Sequence, residues 1–274
     1  MLIDTHCHLD ATEFDLDRAD VIANAVKQGV GKIIVPAVER ANFQQVMDLS
    51  QQHVQIGFGL GIHPMYVDTA QPSDLILLKQ LISEQLNDPK SKLVAIGEIG
   101  LDFFVTLSNR ETQEYFLSEQ LKIAQEFNLP VILHVSRAVD DVLKHLRRHT
   151  LCGGIAHAFN GSLQQAQAFI KLGFKLGFGG AMTYPRALKI RELAKILPLE
   201  SIVLETDSPD IAPEWIGTKA RNEPAQLLKI AQTLADIRGL NLTQIIEVTG
   251  NNASYIFPKL IGLCTPVNVL HEEN

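Results

Sequence analysis

Residues 110–134 read RETQEYFLSEQLKIAQEFNLPVILH. The first part is amphipathic at the helical period, with Tyr115, Leu117, Leu121, Ile123, Ala124 and Phe127 as the expected apolar stripe over Arg110–Phe127. Asn128-Leu129-Pro130 then stops the helix, because proline cannot continue it and biases the residue before it towards extended backbone. Val131-Ile132-Leu133 follows as a short apolar run with an imidazole, His134, at its end. A helix leading into a buried strand is one turn of a βα repeat, and the same unit is found along the whole chain. Strands are expected at Leu2–Thr5, Lys32–Pro36, Val54–Leu60, Leu93–Ile96, Val131–His134, Gly154–His157, Phe174–Gly177 and Ser201–Glu205. Gly153-Gly154 opens one of these units and Gly173 sits just past the end of another helix. Eight such units in about 250 residues predict an α/β fold of the (β/α)8 TIM-barrel type, one domain over residues 1–260, with 261–274 as a loose tail. No GxGxxG or GxxxxGK[ST] follows any strand, which removes the usual reason to prefer an open nucleotide-binding sheet.

Composition sets the limits. The chain has 274 residues, 46% hydrophobic and 20% charged, with 24 Lys+Arg against 31 Asp+Glu and a net charge of −7. A large core is within reach at this length without disulfides. Cys7, Cys152 and Cys264 form an odd set with no CxxC spacing, which fits a reducing compartment; together with the lack of a signal-like N-terminus and of a run of about 18 apolar residues, this makes the cytoplasm the expected location and a membrane partner unexpected. The negative charge argues against a long basic surface for polyanions, so any nucleic-acid contact must be local.

In a barrel of this kind the active site forms at the C-terminal ends of the strands. Five of the eight expected ends carry metal-type or acid–base residues: His6 and His8, Glu98, His134, His157, and Glu205 with Asp207. Residues i and i+2 of a strand share a face, so His6 and His8 can reach one cation while Cys7 turns away. Glu98 lies within Ala95-Ile96-Gly97-Glu98-Ile99-Gly100-Leu101-Asp102, where a carboxylate among apolar and glycine positions needs a partner. A salt bridge would satisfy it, but beside four strand-end histidines a bridging metal ligand is the better reading. Asp207 can ligate a metal or accept a proton from attacking water, and Glu205, two residues deeper on the same face, can orient a ligand.

These motifs, DTHCHLD, GEIGLD, ILH, AHAFNGS and ETDSPD followed by RNEP, resemble the TatD family of metal-dependent deoxyribonucleases over residues 1–258. The resemblance implies two divalent ions, one on His6, His8 and Asp207 and the other on His134 and His157, with Glu98 between them. It implies cleavage of phosphodiester bonds in DNA, here expected to be exonucleolytic and to start from single-stranded ends, with no obligate protein partner. Asp207 is expected to act as base with Glu205 behind it, and His63, Arg137, Asn160 and Arg221 to hold substrate. Three departures from the family pattern bear on these contacts: Val135 intervenes before Ser136-Arg137, Met65 follows Gly61-Ile62-His63-Pro64, and Asn160 stands between Phe159 and Gly161. His63 reads equally well as a turn residue held by Pro64. Four imidazoles favour Zn, Mn, Co or Ni, whereas the resemblance suggests Mg or Mn, so the ion is expected to be Mg, Mn or Zn.

Two other functions fit the same residues. One is hydrolysis of an amide, lactone or aminoacyl ester, since the HxH barrel also resembles the wider amidohydrolase superfamily; Glu98, where many of those enzymes have a carbamylated lysine, favours the TatD-type branch. The other is metal binding without catalysis. Away from the strand ends, His145 and His149 read as part of a solvated basic face on a helix Val139–Arg148, His53 and His271 as exposed, and Asn222 as the cap of a helix with Pro224 in its first turn.

Overall fold

Every run expected to be a strand is one. In the computed structural model, which describes residues 1–104 and 109–262, the strands are β1 (Leu2–Asp4), β2 (Val30–Pro36), β3 (Ile56–Leu60), β4 (Leu93–Asp102), β5 (Val131–Ser136), β6 (Gly154–Ala156), β7 (Phe174–Phe178) and β8 (Ile202–Leu204). They pair in chain order and all in parallel. The sheet comes round on itself where β8 meets β1. There the Thr5 amide donates to the Leu204 carbonyl at 3.1 Å, the Asp207 amide to that of His6 at 2.9 Å, and the His8 amide to that of Ser208 at 2.7 Å. The architecture is a (β/α)8 barrel. Its helices are α1 (Arg18–Lys27), α2 (Phe43–Gln52), α3 (Pro72–Asn87), α4 (Arg110–Phe127), α5 (Val139–Leu146), α6 (Leu163–Lys171), α7 (Leu188–Ile196), α8 (Leu227–Arg238) and α9 (Leu242–Ile256). No helix among the described residues is long and apolar enough to cross a membrane.

Two apolar cores follow from the period of the strands. Residues facing out, such as Ile33, Val35, Leu133 and Leu204, pack under the helices. Residues facing in, Ile3, Ile34, Val94, Ile132, Ile155 and Val203, form a smaller cluster together with Ala253, Ile256, Phe257 and Leu260 from α9 and the segment after it. The barrel floor is thus plugged by the end of α9, a helix that also packs against β1 and β8. Two residues further along three strands the inward position changes character: Ile132 gives way to His134, Ile155 to His157 and Val203 to Glu205. The apolar layer is the floor on which the polar site rests.

Local chemistry sets the helix ends. Asn109 accepts the Thr112 amide at the start of α4, Asn128 closes it in the left-handed conformation, and Ser162 and Gln165 form a capping box on α6. The α4 stripe is rotated from the expected one: Phe116, Leu117, Leu121 and Ala124 are buried, whereas Tyr115 is exposed. The rotation brings two buried glutamines inward. Gln113 bonds the amide and carbonyl of Asp102 at 2.8 and 3.0 Å, and Gln120 does the same for Ile62 at 2.7 and 3.0 Å. Each amide side chain thereby satisfies backbone groups where β3 and β4 run out of neighbours. The expected loose tail lies, except for residues 261 and 262, outside the described residues, as do Cys264 and His271.

Gly100 pairs with His134 across β4 and β5 at a φ of +156°. A Cβ there would overlap the His134 carbonyl. Gly100→Ala is expected to lower unfolding stability by about 1–3 kcal/mol or more through strand displacement. A urea midpoint equal to that of the unsubstituted protein would contradict this account.

Candidate metal centre

Glu98 is buried to 1% exposure at the irregularity where the β4–β5 register shifts. Its two oxygens face different partners. Oε2 lies 3.1 Å from His6 Nε2 and 3.4 Å from His8 Nε2. Oε1 lies 2.8 Å from His157 Nε2, 3.0 Å from His134 Nδ1 and 3.4 Å from His63 Nε2. Asp207 Oδ1 joins the first set, 3.5 Å from His6 Nε2 and 3.7 Å from His8 Nε2, and those two nitrogens are 3.1 Å apart. Four ligands at 2.0–2.1 Å around a tetrahedral ion are separated by about 3.3–3.4 Å. The five distances within the first set fall on either side of that value, so these residues fit a small divalent ion. Among the described residues, the groups that could hold a metal are His6, His8 and Asp207; His6, Glu98 and His157; and His63, Glu98 and His134.

A second layer of carboxylates supports these donors. Asp4 is fully buried; its Oδ1 accepts the amides of His6 and Thr206 at 3.3 and 3.0 Å, and its Oδ2 accepts the Thr206 hydroxyl at 2.6 Å, stitching the end of β1 to the end of β8. Asp102 Oδ2 lies 2.9 Å from His134 Nε2, while its Oδ1 accepts the Phe104 amide at 2.7 Å. A proton on His134 Nε2 shared with Asp102 leaves the Nδ1 lone pair directed at Glu98 and His157, the arrangement that orients a metal-binding imidazole. Glu205 Oε1 accepts the Ala158 amide at 2.5 Å and lies 3.9 Å from His157 Nδ1. Gly177 and Gly179 of the β7 edge leave the space Glu205 occupies. Of these three carboxylates, Glu205 is among the residues expected from the sequence, and Asp4 and Asp102 are not. Their signal was present: each is a carboxylate at the last residue of a buried strand.

His63 satisfies both of its readings. Its Nδ1 accepts the Met65 amide at 3.1 Å, capping the turn, and its Nε2 faces Glu98. With Nδ1 accepting, the proton of the neutral ring is on Nε2, where it can donate to Glu98 or to an anion. Arg137, Ala158 and Asp207 follow β5, β6 and β8 with φ of +52°, +44° and +56°. Non-glycine residues in the left-handed region at three strand ends mark a mouth held in a strained conformation.

The other expected contacts lie further out. Arg137 is exposed, with its guanidinium 4.3 Å above the Phe104 ring. Asn160 is exposed and its carbonyl accepts from Lys189 at 3.2 Å. Arg221 is not brought to the histidines: it forms a double contact with Asp17 at 2.8 and 2.6 Å, pairs with Glu223 at 2.8 Å and stacks on Phe14. Asn222 is not a helix cap. Its buried amide donates to the carbonyls of Thr206 and Asp210 at 2.7 and 2.9 Å, tying down the loop after β8, and the N-cap of α8 is Gln226. Pro224 instead opens the 3-10 turn before α8. His145 is buried in place of being solvated, its Nε2 3.9 Å from Glu114, because the turn of α5 points it at α4. His53 is half-buried.

Electrostatics follow from crowding imidazoles around buried carboxylates. Burial works against ionisation of Glu98, but His6, His157, His63 and the His134 hydrogen bond outweigh it and hold the carboxyl well below the usual range. Burial likewise opposes a charge on His8 and His157, yet Glu98, with Asp207 and other nearby carboxylates, brings them up to about 9 and about 10. His6 is driven well down by burial and by His157. Burial pushes Glu205 up to about 8 and Asp4 up to about 7.

The chain matches a family model described as TatD related DNase over residues 3–258. It is 41% identical to the uncharacterized metal-dependent hydrolase YjjV of Escherichia coli K12 over 93% of this chain and 97% of that one. It is 34% identical to the human deoxyribonuclease TATDN3, covering 94% of this chain and 95% of that one. The crystal structure of YjjV, a TatD homolog, superposes with a TM-score of 0.88 at 40% identity over 94% of this chain and 98% of that one.

Two outcomes are expected. His8 and His157 hold their protons below about 9 and about 10 in the metal-free protein, so uptake of a divalent ion at pH 7.5 releases protons and strengthens as pH rises. Calorimetric titrations in two buffers of different ionisation enthalpy check this, and identical heats in both would contradict it. Asp102→Asn is expected to weaken metal affinity about 10- to 100-fold, as read from a competitive chelator titration.

Proposed function

The chain belongs to the TatD family of metal-dependent hydrolases, and from that premise we propose that it is a deoxyribonuclease with two divalent ions that shortens DNA from single-stranded ends. The observation that carries this reading is the division of one buried carboxylate: each oxygen of Glu98 faces its own set of imidazole nitrogens. A carboxylate surrounded in this way is suited to bridging two cations. His6, His8 and Asp207 would hold one ion, and His134 and His157 the other. Divalent ions there lower the pKa of water and offset the charge that develops on a phosphoryl group.

The residues of the chain have distinct tasks in such a reaction. Asp207 takes the proton from the attacking water; its carboxylate is at the rim of the donor set, and burial raises its proton affinity. Glu205, behind His157 and anchored by the Ala158 amide, keeps that imidazole in place. His63 donates Nε2–H to a phosphate oxygen, and Arg137, exposed at the same mouth, supplies a cation to the strand. The family description and the name of the human relative support DNA as substrate. The net charge of −7 supports a strand end reaching into the mouth over a duplex held along a basic surface.

With Mn or Mg, the purified protein is expected to shorten an end-labelled single-stranded oligonucleotide, and Glu98→Gln or Asp207→Asn to lower the rate by at least about 100-fold with the far-UV spectrum retained. Metal analysis of the same samples is expected to give two ions per chain, falling on Glu98→Gln. Undiminished cleavage by both variants would overturn the assignment.

A further inference from the structure

Two aromatic rings are exposed beside the donors. Tyr66 is 38% exposed and Phe104 59%. They stand at the two ends of one chain of contacts that runs through the candidate centre. The Tyr66 ring is 6.2 Å from that of His63, the His63 ring is 4.3 Å from that of His134, and His134 is tied through Asp102 to the Phe104 amide. Beyond Phe104 comes the Arg137 guanidinium, 4.3 Å above the ring. Exposed apolar side chains such as Leu16, Ile76 and Tyr255 occur elsewhere on the surface; what sets Tyr66 and Phe104 apart is that both are aromatic and are linked by contacts to the candidate donors.

The surroundings indicate which part of a ligand each ring takes. Tyr66 forms a wall of an open cleft of about 410 Å³ whose other residues include Glu39, Arg40 and Asp74. Arg40 is already paired with Asp74 at 2.8 Å, and Glu39 leaves the cleft with an excess of negative charge. It therefore offers a phosphate nothing and a flat, uncharged ring a stacking face. At Phe104 the guanidinium adds a cation able to stack as well as to meet a neighbouring phosphate. We propose that Tyr66 and Phe104 are stacking residues for two unpaired nucleobases of the substrate strand, with Arg137 extending the Phe104 platform. The inference rests on the nuclease reading above and gives it a physical basis for single strands: in a duplex the base faces are taken up by their neighbours.

The test is equilibrium binding of labelled, phosphorothioate-linked oligothymidylate to the metal-loaded protein, compared with a strand of equal length carrying abasic spacers. Stacking is worth about 1–3 kcal/mol per base, or about 5- to 150-fold in Kd. The unsubstituted protein is expected to prefer the base-bearing strand by at least about tenfold. Tyr66→Ala and Phe104→Ala are each expected to cut that preference at least about fivefold, while Tyr66→Phe and Phe104→Tyr keep it. Absence of the preference in the unsubstituted protein, or its full survival in both alanine variants, would overturn the inference. Hydrolysis of an ordinary phosphodiester strand is measured alongside. Cleavage without base preference defeats only the stacking assignment, and base preference without cleavage defeats only the nuclease reading.

Discussion

A carboxylate removed from water needs partners, and the candidate centre is organised around that requirement at Glu98. An isolated charge at that depth costs several kcal/mol or more. Five imidazoles, from His6, His8, His63, His134 and His157, lie within 2.8–3.4 Å of its oxygens. They belong to segments at the ends of β1, β3, β5 and β6, which only closure of the sheet brings to one point. An open sheet would leave the β1 histidines far from those of β5 and β6. The seam between β8 and β1 is therefore as much a part of the site as the ligands, and Asp4, which fastens it to Thr206, serves chemistry by serving geometry.

The same requirement explains the layering. Below Glu98 the barrel interior is apolar and is filled in part by the end of α9 and the segment after it. Around it, Asp102 and Glu205 address His134 and His157, and Gln113 and Gln120 of α4 hold the backbone from which Asp102 and His63 project. Each added polar group needed its own partner in turn, and this is why the polarity is spread over α4 and the ends of β4, β6 and β8 in place of a single motif. Left-handed backbone at Arg137, Ala158 and Asp207 turns the chain sharply at the strand ends.

Parts of this arrangement were legible in the residues alone. The alternation of β-branched runs with helical periods, punctuated by Asn128-Leu129-Pro130 and Gly173, is local and needs no tertiary information. His134 and His157 stand out because an imidazole at the end of an apolar run has few reasons to be there. Other residues were misread where local pattern and packing diverge. His145 lies among Lys144, Arg147 and Arg148 and looks solvated, yet the rotation of α5 buries it. Tyr115 fits an apolar stripe that the register of α4 against the barrel turns outward.

The sequence by itself determined the strand count, the barrel class and the common face of His6 and His8, because a period of two and the punctuation of helices depend on neighbours along the chain. It also determined that Glu98 must find partners. Only the tertiary structure decided which oxygen of Glu98 meets which nitrogen, that His134 directs Nδ1 inward and Nε2 to Asp102, and that Tyr66 and Phe104 stay in water beside them. Those choices depend on rotamers and on distances between residues far apart along the chain, such as Asp4 and Thr206, which are 202 positions apart, and the linear chain does not encode such distances until the barrel closes.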